Sequence, residues 1–312
     1  MARVVGMSQV SRQALSAARF ACRPAMWAGA AREVALCGFN AVTYPLGIRP
    51  GRPSWEAPLD RETQAAVGVA ENPAVAAMPV LLVHGYIHNR SAFLAMSRQL
   101  KRAGFRYVDG FNYNALSEGI PQAAARLGAE VERILSATGA DRVMIVGHSM
   151  GGMVARYYVQ ELGGEDTVDT VVTLGSPHHG TYASYVGLGQ ASAQLRPGSE
   201  LLRRLESSAR PGPVRWVAYW SDLDVFVTPI GNAKLEHAAL QAHNVRVRNT
   251  GHLSLLASGW VLKDVLAHLT DPALHRPVVA DVPALATPEQ RRRRTPTSVA
   301  DAASDRRTAS QQ

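Results

Sequence analysis

The chain has 312 residues, of which 46% are hydrophobic and 19% charged, and this composition excludes an intrinsically disordered protein. Its length fits one large domain with tails or two small domains. The net charge of +8 comes mainly from the flanks, since residues 1–60 carry 7 arginines against 3 acidic residues. We expect solvated basic flanks and no nucleic acid partner. The two cysteines, Cys22 and Cys37, exclude a disulfide framework but not a single bridge.

The N-terminal flank, 1–48, is predicted to form a helix that packs on the body or lies on a membrane surface. Two uncharged runs, 24–31 and 34–48, are separated by Arg32 and Glu33. The second run has 15 residues, fewer than the roughly 20 needed to span a bilayer. Four arginines precede these runs: Arg3, Arg12, Arg19 and Arg23. A cytoplasmic or peripheral membrane location is favoured, and secretion through a cleavable signal is the alternative.

Composition divides the rest of the chain. Residues 49–77 are rich in Pro, Gly and charge and predict a connector. From 277 the chain turns polar, with an arginine block at 291–294, so 277–312 is predicted to be a disordered tail. The body, 78–276, alternates short apolar runs with longer amphipathic segments.

This alternation predicts an α/β domain. The apolar runs, typical of buried strands, are 80–83, 107–113, 142–146, 170–174, 215–220 and 245–247. The helical segments between them are 91–103, 120–138, 150–162 and 258–269. Strands that alternate with helices indicate βαβ units, and therefore a mostly parallel central sheet flanked by helices.

The sharpest local pattern is G-H-S-M-G at 147–151, which lies between a predicted strand and a predicted helix. This arrangement is typical of a nucleophile elbow, a turn so tight that side chains at 147 and 151 would collide with neighbouring backbone. The turn holds the serine in a strained conformation with its oxygen exposed. We therefore predict Ser149 as a nucleophile. His148 is not expected to be its base, because neighbouring residues on an elbow point in different directions.

A nucleophile that attacks a carbonyl needs N–H donors already aimed at the developing oxyanion. In this arrangement one donor is the residue after the nucleophile, here Met150, and the other follows an early strand. The strand at 80–83 leads into H-G-Y, so the backbone N–H of Tyr86 is the second predicted donor. His84 is expected to brace the loop.

The chain order for such a site is Ser, then Asp or Glu, then His. Asp222 and Asp224 both lie in the loop after the strand at 215–220. Asp224 is preferred because the Val-Phe-Val run that follows it can bury it against an imidazole. Asp222 stays the alternative, and the unchosen residue is expected to cap the loop.

His252 is the predicted base, because it lies 28 residues after Asp224 in a loop entered by a strand and a glycine. It would take the proton from Ser149 and return it to the leaving group. The other histidines after Ser149 are less well placed. His178 and His179 precede the acid, His237 and His243 lie before or at the start of the last strand, and His268 and His275 lie on or beyond the last helix.

Four motifs resemble those of bacterial lipases and esterases of the α/β-hydrolase superfamily, between about Pro79 and Leu269: V-H-G-Y, G-H-S-M-G-G, S-x-x-D-x-x-V and G-H-L-x-L-L. The segments 156–158, 174–181 and 195–199 also resemble this group. The resemblance implies hydrolysis of lipid-like esters through an acyl-enzyme on Ser149. It also favours Asp224 over Asp222, and Tyr86 with Met150 as oxyanion donors.

Residues 178–213 are predicted to form a short cap, in which apolar side chains either line an acyl groove or pack the cap down. These side chains are Tyr182, Tyr185, Val186, Leu188 and Leu195. Amide hydrolysis or acyl transfer would use the same three side chains, and a non-catalytic lipid-binding protein on the same fold is the rival class. No cofactor or metal is expected.

Overall fold

The protein is described by a computed structural model, which covers residues 24–48 and 73–271. The predictions for the four N-terminal arginines, most of the connector and the tail at 277–312 lie outside the described residues.

The centre of the described body is a six-stranded sheet in which every neighbouring pair is parallel, in the order β2-β1-β3-β4-β5-β6. The strands are β1 Val80–Val83, β2 Val108–Phe111, β3 Val143–His148, β4 Val168–Leu174, β5 Arg215–Ser221 and β6 His243–Val247. Each predicted apolar run overlaps one of them, so the α/β fold class with a mostly parallel sheet is confirmed. β1 and β3 are buried throughout, as expected of strands covered on both faces.

Helices pack on both faces of this sheet. They are α1 Pro24–Ile48, α2 Pro73–Ala77, α3 Leu94–Arg102, α4 Ile120–Thr138, α5 Met150–Glu161, α6 Gly189–Gln194, α7 Glu200–Ser207 and α8 Gly259–Thr270. Along β1, Leu81 and Val83 face the core that includes α4 and α5. Val80 and Leu82 face the opposite core, which includes α3 and α8. The alternation of side chains along each strand thus builds two cores from one sheet.

α2 lies inside the segment that predicted a connector. Val75 and Ala76 on this short helix are buried in the core beside α3, and the Ala76 carbonyl accepts a hydrogen bond from Arg106 N–H (3.0 Å). Residues 73–77 therefore pack as part of the body.

α1 packs with its polar stripe inward. Thr43 and Gly47 are buried against the body, whereas Val34, Val42 and Leu46 are 73%, 79% and 67% exposed. Side-chain amides of the body hold the far end of the helix: Asn89 donates to the Tyr44 carbonyl (2.8 Å) and Asn112 to the Gly47 carbonyl (2.7 Å). An ordinary surface helix has the opposite polarity. None of the described helices is both long and apolar enough to cross a membrane.

Because all six strands are parallel, their carboxyl ends share one edge of the sheet. The loops after β1, β3, β5 and β6 meet at that edge, where sites of open α/β sheets form.

Candidate active site

Ser149 occupies the turn between β3 and α5 with φ 54° and ψ −124°, a conformation that strains a residue with a Cβ. Its N–H donates to the Leu174 carbonyl (2.8 Å), which fastens the turn to β4. A Cβ at Gly151 would lie 2.1 Å from the Val83 carbonyl oxygen, and one at Gly147 would lie 2.5 Å from the Gly152 nitrogen. The elbow therefore requires both glycines, as the sequence predicts.

The loop after β1 lies directly against the elbow. A Cβ at Gly85 would lie 2.9 Å from the Ser149 Cβ, so only glycine lets this backbone come so close. Among the described residues, no partner accepts from the Tyr86 N–H. The Met150 N–H, at the first residue of α5, has no carbonyl one turn earlier in the helix. Both predicted oxyanion donors thus lie beside the serine with unused N–H groups.

The Tyr86 side chain joins this loop to the segment predicted to be a cap. Its hydroxyl donates to the Leu188 carbonyl (2.6 Å) and accepts from the Leu188 N–H (2.8 Å). The apolar side chains of this segment do not share one environment. Leu195 is buried, whereas Tyr182, Tyr185, Val186 and Leu188 are exposed.

His84 braces the loop, as its position in the sequence suggests. Its Nδ1–H donates to the Gly85 carbonyl (2.9 Å), its Nε2 accepts from the Tyr113 N–H (3.3 Å), and its ring stacks on Tyr113 at 4.4 Å. Burial lowers the pKa of His84 to about 4, so the ring is neutral at neutral pH.

The loops after β5 and β6 bring a carboxylate to an imidazole. His252 Nδ1–H donates to Asp224 Oδ2 (2.6 Å), and both side chains are buried. The other carboxylate oxygen, Oδ1, accepts from the N–H groups of Phe226 and Val227 (2.9 Å each). These bonds fix the carboxylate and leave Nε2 as the outward nitrogen of His252.

Asp222 has a different surrounding. It accepts from the Asn249 N–H (2.8 Å), and its Oδ2 lies 3.4 Å from Arg246. It therefore ties β5 to the loop after β6, and the structure brings Asp224, not Asp222, to His252.

His148, which directly precedes Ser149, lies in a cluster of three histidine rings with His252 and with His88, whose ring is 6.1 Å from that of His148. The His148 and His252 rings are 4.6 Å apart, and His148 Nε2–H donates to the His252 carbonyl (3.1 Å). Burial lowers the pKa of His148 far below its ordinary value and that of His88 to about 4. Burial also lowers the pKa of His252, but the charge and hydrogen bond of Asp224 and the charge of Glu33 raise it above its ordinary value. His252 is therefore the member of this cluster that accepts a proton most readily. Ser149 is partly exposed, and its Oγ makes no hydrogen bond within the described residues.

Two further side chains hold the site without having been assigned a role from sequence. Thr181 Oγ1 donates to the Phe226 carbonyl (2.7 Å) and accepts from the Thr228 N–H (3.0 Å), which clamps the Asp224 loop. The buried Arg156 donates to the carbonyls of His178 and Leu205 (3.2 Å each), and burial lowers its pKa to about 10. Both residues lie in segments that resemble the lipase and esterase group, and that resemblance could have identified them from the sequence.

A third missed residue is Glu33, whose carboxylate accepts from Leu253 and Ser254 beside His252. Nothing in the sequence near residue 33 indicated this contact. Within 24–48 and 73–271, no group of three or more His, Cys, Asp or Glu side chains is arranged to hold a metal ion.

Comparisons with known proteins agree with this architecture. A family profile of the alpha/beta hydrolase fold matches residues 78–190. The chain is 29% identical over 155 residues to a triacylglycerol lipase of Burkholderia plantarii, covering 47% of this chain and 42% of that one. It is 30% identical over 125 residues to a triacylglycerol lipase of Pseudarthrobacter phenanthrenivorans, covering 38% and 39%. The chain thus matches less than half the length of either lipase.

The fold is also similar to a crystal structure of a Bacillus licheniformis lipase in its mature form. The TM-score is 0.56 at 18% identity, over 71% of this chain and 100% of that one. The sheet, the elbow and the matched profile define an α/β-hydrolase fold. The profile and the solved structure thus agree on the fold of the body.

The Asp224–His252 pair can be tested without an assay of enzymatic activity. In Asp224→Asn the negative charge is lost, so burial dominates and the pKa of His252 falls. Asp222→Asn is the matched control and should leave that pKa in place, because Asp222 bonds Asn249 and Arg246 instead. Titration of ¹⁵N-histidine NMR signals measures both, with His252→Gln to assign the resonance. An equal shift in the two variants would contradict the pairing.

Proposed function

We propose that the protein is a serine hydrolase that cleaves carboxylic ester bonds of lipid-like substrates through an acyl-enzyme on Ser149. The observation that carries the proposal is the buried Asp224–His252 pair beside a serine held at a strained elbow. The Tyr86 and Met150 N–H groups have no acceptor in the described chain and lie in segments next to that serine, so they supply the second requirement of acyl transfer. The match to the alpha/beta hydrolase fold profile supports hydrolysis at the level of reaction class.

Each proposed step uses groups already in position. His252 Nε2 takes the Ser149 proton as Oγ attacks the ester carbonyl, and Asp224 stabilises the imidazolium. The tetrahedral oxyanion accepts from the Tyr86 and Met150 N–H groups, each of which supplies roughly 3 kcal/mol in comparable sites. His252 then protonates the departing alkoxide and the C–O bond breaks. A water molecule, deprotonated by His252, then attacks the acyl carbonyl. The bond to Oγ breaks, the carboxylic acid leaves, and His252 returns the proton to Ser149 Oγ.

The surroundings favour an apolar acyl group. The Phe226 ring lies 5.2 Å from the His252 ring and is 46% exposed. Tyr182, Tyr185, Val186 and Leu188 are also exposed, and the backbone of Leu188 bonds the Tyr86 hydroxyl. Apolar surface of this kind suits a hydrocarbon chain. Triacylglycerol as the particular substrate is supported by two partly matching relatives that bear this name.

A panel of p-nitrophenyl esters with increasing acyl length tests the proposal. Wild type should hydrolyse them with a preference for longer chains, and Ser149→Ala should lose roughly a million-fold in kcat while keeping its fold, because one oxygen is removed. A p-nitroanilide of the same acyl group separates amide cleavage, and added alcohols reveal acyl transfer. A fluorophosphonate that fails to label wild-type Ser149 would favour the non-catalytic lipid-binding alternative.

We also propose that α1 contacts a lipid surface. Its exposed stripe of Val34, Val42 and Leu46 has no partner in the described chain. The stripe begins next to Glu33, whose carboxylate bonds the turn after His252, so it adjoins the site that would receive lipid. The excess of arginine in residues 1–60 adds attraction to anionic headgroups.

Vesicle sedimentation tests this surface. Replacing Val34, Val42 and Leu46 by Ser should weaken binding to phosphatidylcholine–phosphatidylglycerol vesicles by about a thousandfold, since each buried side chain contributes roughly 1.5 kcal/mol. Val42→Ser alone should weaken vesicle binding more than the matched control Leu162→Ser does. The control changes an exposed apolar residue at the end of α5. In cells, carbonate should release the full chain. Binding that survives the triple change, or release only by detergent, would contradict peripheral attachment through α1.

A further inference from the structure

The turn that carries His252 begins with unsatisfied backbone donors. The 3₁₀ helix Leu253–Leu256 starts directly after His252, and the first N–H groups of such a turn have no acceptor within it. A side chain at the N-cap position ordinarily accepts one of them. Here the N-cap residue is His252 itself, whose Nδ1 is committed to Asp224 at 2.6 Å. The acceptor must therefore come from elsewhere.

Glu33 on α1 supplies it. One carboxylate oxygen accepts from the Leu253 N–H, and the other accepts from the Ser254 N–H (3.1 Å) and the Ser254 hydroxyl (2.7 Å). Three hydrogen bonds to a charged acceptor are stronger than three neutral ones. A Cβ at Gly251 would lie 2.3 Å from a Glu33 carboxylate oxygen, so a side chain at residue 251 would push the carboxylate away.

The peptide group between His252 and Leu253 is consequently held at both ends. Its carbonyl accepts from His148 Nε2–H (3.1 Å), and its N–H donates to Glu33. The plane of this peptide fixes the backbone of His252. Together with the bond to Asp224, it sets the direction in which Nε2 points.

We infer that Glu33 is a positioning residue for His252, and that α1 is thereby an integral part of the catalytic site. The inference rests on the proposed function for its effect on turnover. Glu33 touches neither substrate nor reacting atoms, and it acts through the peptide that carries the base. Asn89 and Asn112 hold the other end of α1, so the helix keeps Glu33 in place.

Charge adds a second effect. The titratable groups that face His252 are Asp224, His148, His88 and Glu33. His148 and His88 are neutral at neutral pH, because burial lowers the pKa of each. Asp224 and Glu33 are the acidic groups whose charges raise the pKa of His252 against its burial. Removing the Glu33 charge should lower that pKa and move the acid limb of the rate profile to lower pH.

The test compares Glu33→Gln and Glu33→Ala with Arg32→Gln, a change of one charge at the neighbouring, exposed position of the same helix. The assay is the pH profile of kcat and KM on a soluble short-chain p-nitrophenyl ester. Glu33→Gln should lower kcat by about tenfold and Glu33→Ala by up to about a hundredfold, because small misplacement of a catalytic group costs this much. KM should change little. The acid limb of the pH profile should move to lower pH in both Glu33 variants but not in Arg32→Gln.

Two measurements keep the outcome decisive. Ser254→Ala removes one of the three donors and keeps the charge, so it should lower kcat less and leave the acid limb unchanged. NMR titration of His252 should show a lowered pKa in Glu33→Gln even if no ester is hydrolysed. A chain without esterase activity would therefore overturn the proposed function alone. An active, folded Glu33→Gln with wild-type kcat, acid limb and His252 titration would overturn the positioning role.

Discussion

The whole site depends on one strained residue. Ser149 is held at a positive φ, and it stays there because β1, β3 and β4 lie side by side and their backbones approach within distances that only glycine permits. The same close approach puts the Tyr86 loop beside the serine and leaves the N–H of Met150 at the start of α5. One steric constraint thus brings the hydroxyl close to the two segments that carry these N–H groups, before any charged side chain is considered.

The acid and the base of the site come from parts of the chain that lie far from Ser149 in sequence. β5 and β6 end in loops that carry Asp224 and His252, and the carboxylate is oriented by two backbone N–H groups before it meets the imidazole. Burial would favour a neutral His252, so the nearby negative charges are what keep it basic. The neighbouring histidines, His148 and His88, are neutral and add no repulsive charge near neutral pH.

The fold and most of the site geometry could be predicted from the sequence because both depend on local sequence patterns. Buried parallel strands are continuous apolar runs, and the elbow requires glycines at fixed spacing. The Val-Phe-Val run marked Asp224 as the buried acid of the pair, and the two carboxylates do differ in this way. Glu33 was not accessible, because its partner lies 220 residues away and a glutamate in an apolar run looks like an interruption. The inward orientation of the polar stripe of α1 could not be predicted either, because an amphipathic pattern defines two faces of a helix but not which face packs on the body.

The central claim is that Ser149 is the nucleophile of a site already built for acyl transfer. A crystal structure of the chain reacted with a long-chain alkyl fluorophosphonate tests it most directly. We expect a covalent bond to Ser149 Oγ, with the phosphoryl oxygen about 2.7–3.1 Å from the Tyr86 and Met150 nitrogens and with the alkyl chain along the exposed apolar residues of 182–188. An adduct on another residue, or a phosphoryl oxygen directed away from those two nitrogens, would contradict it.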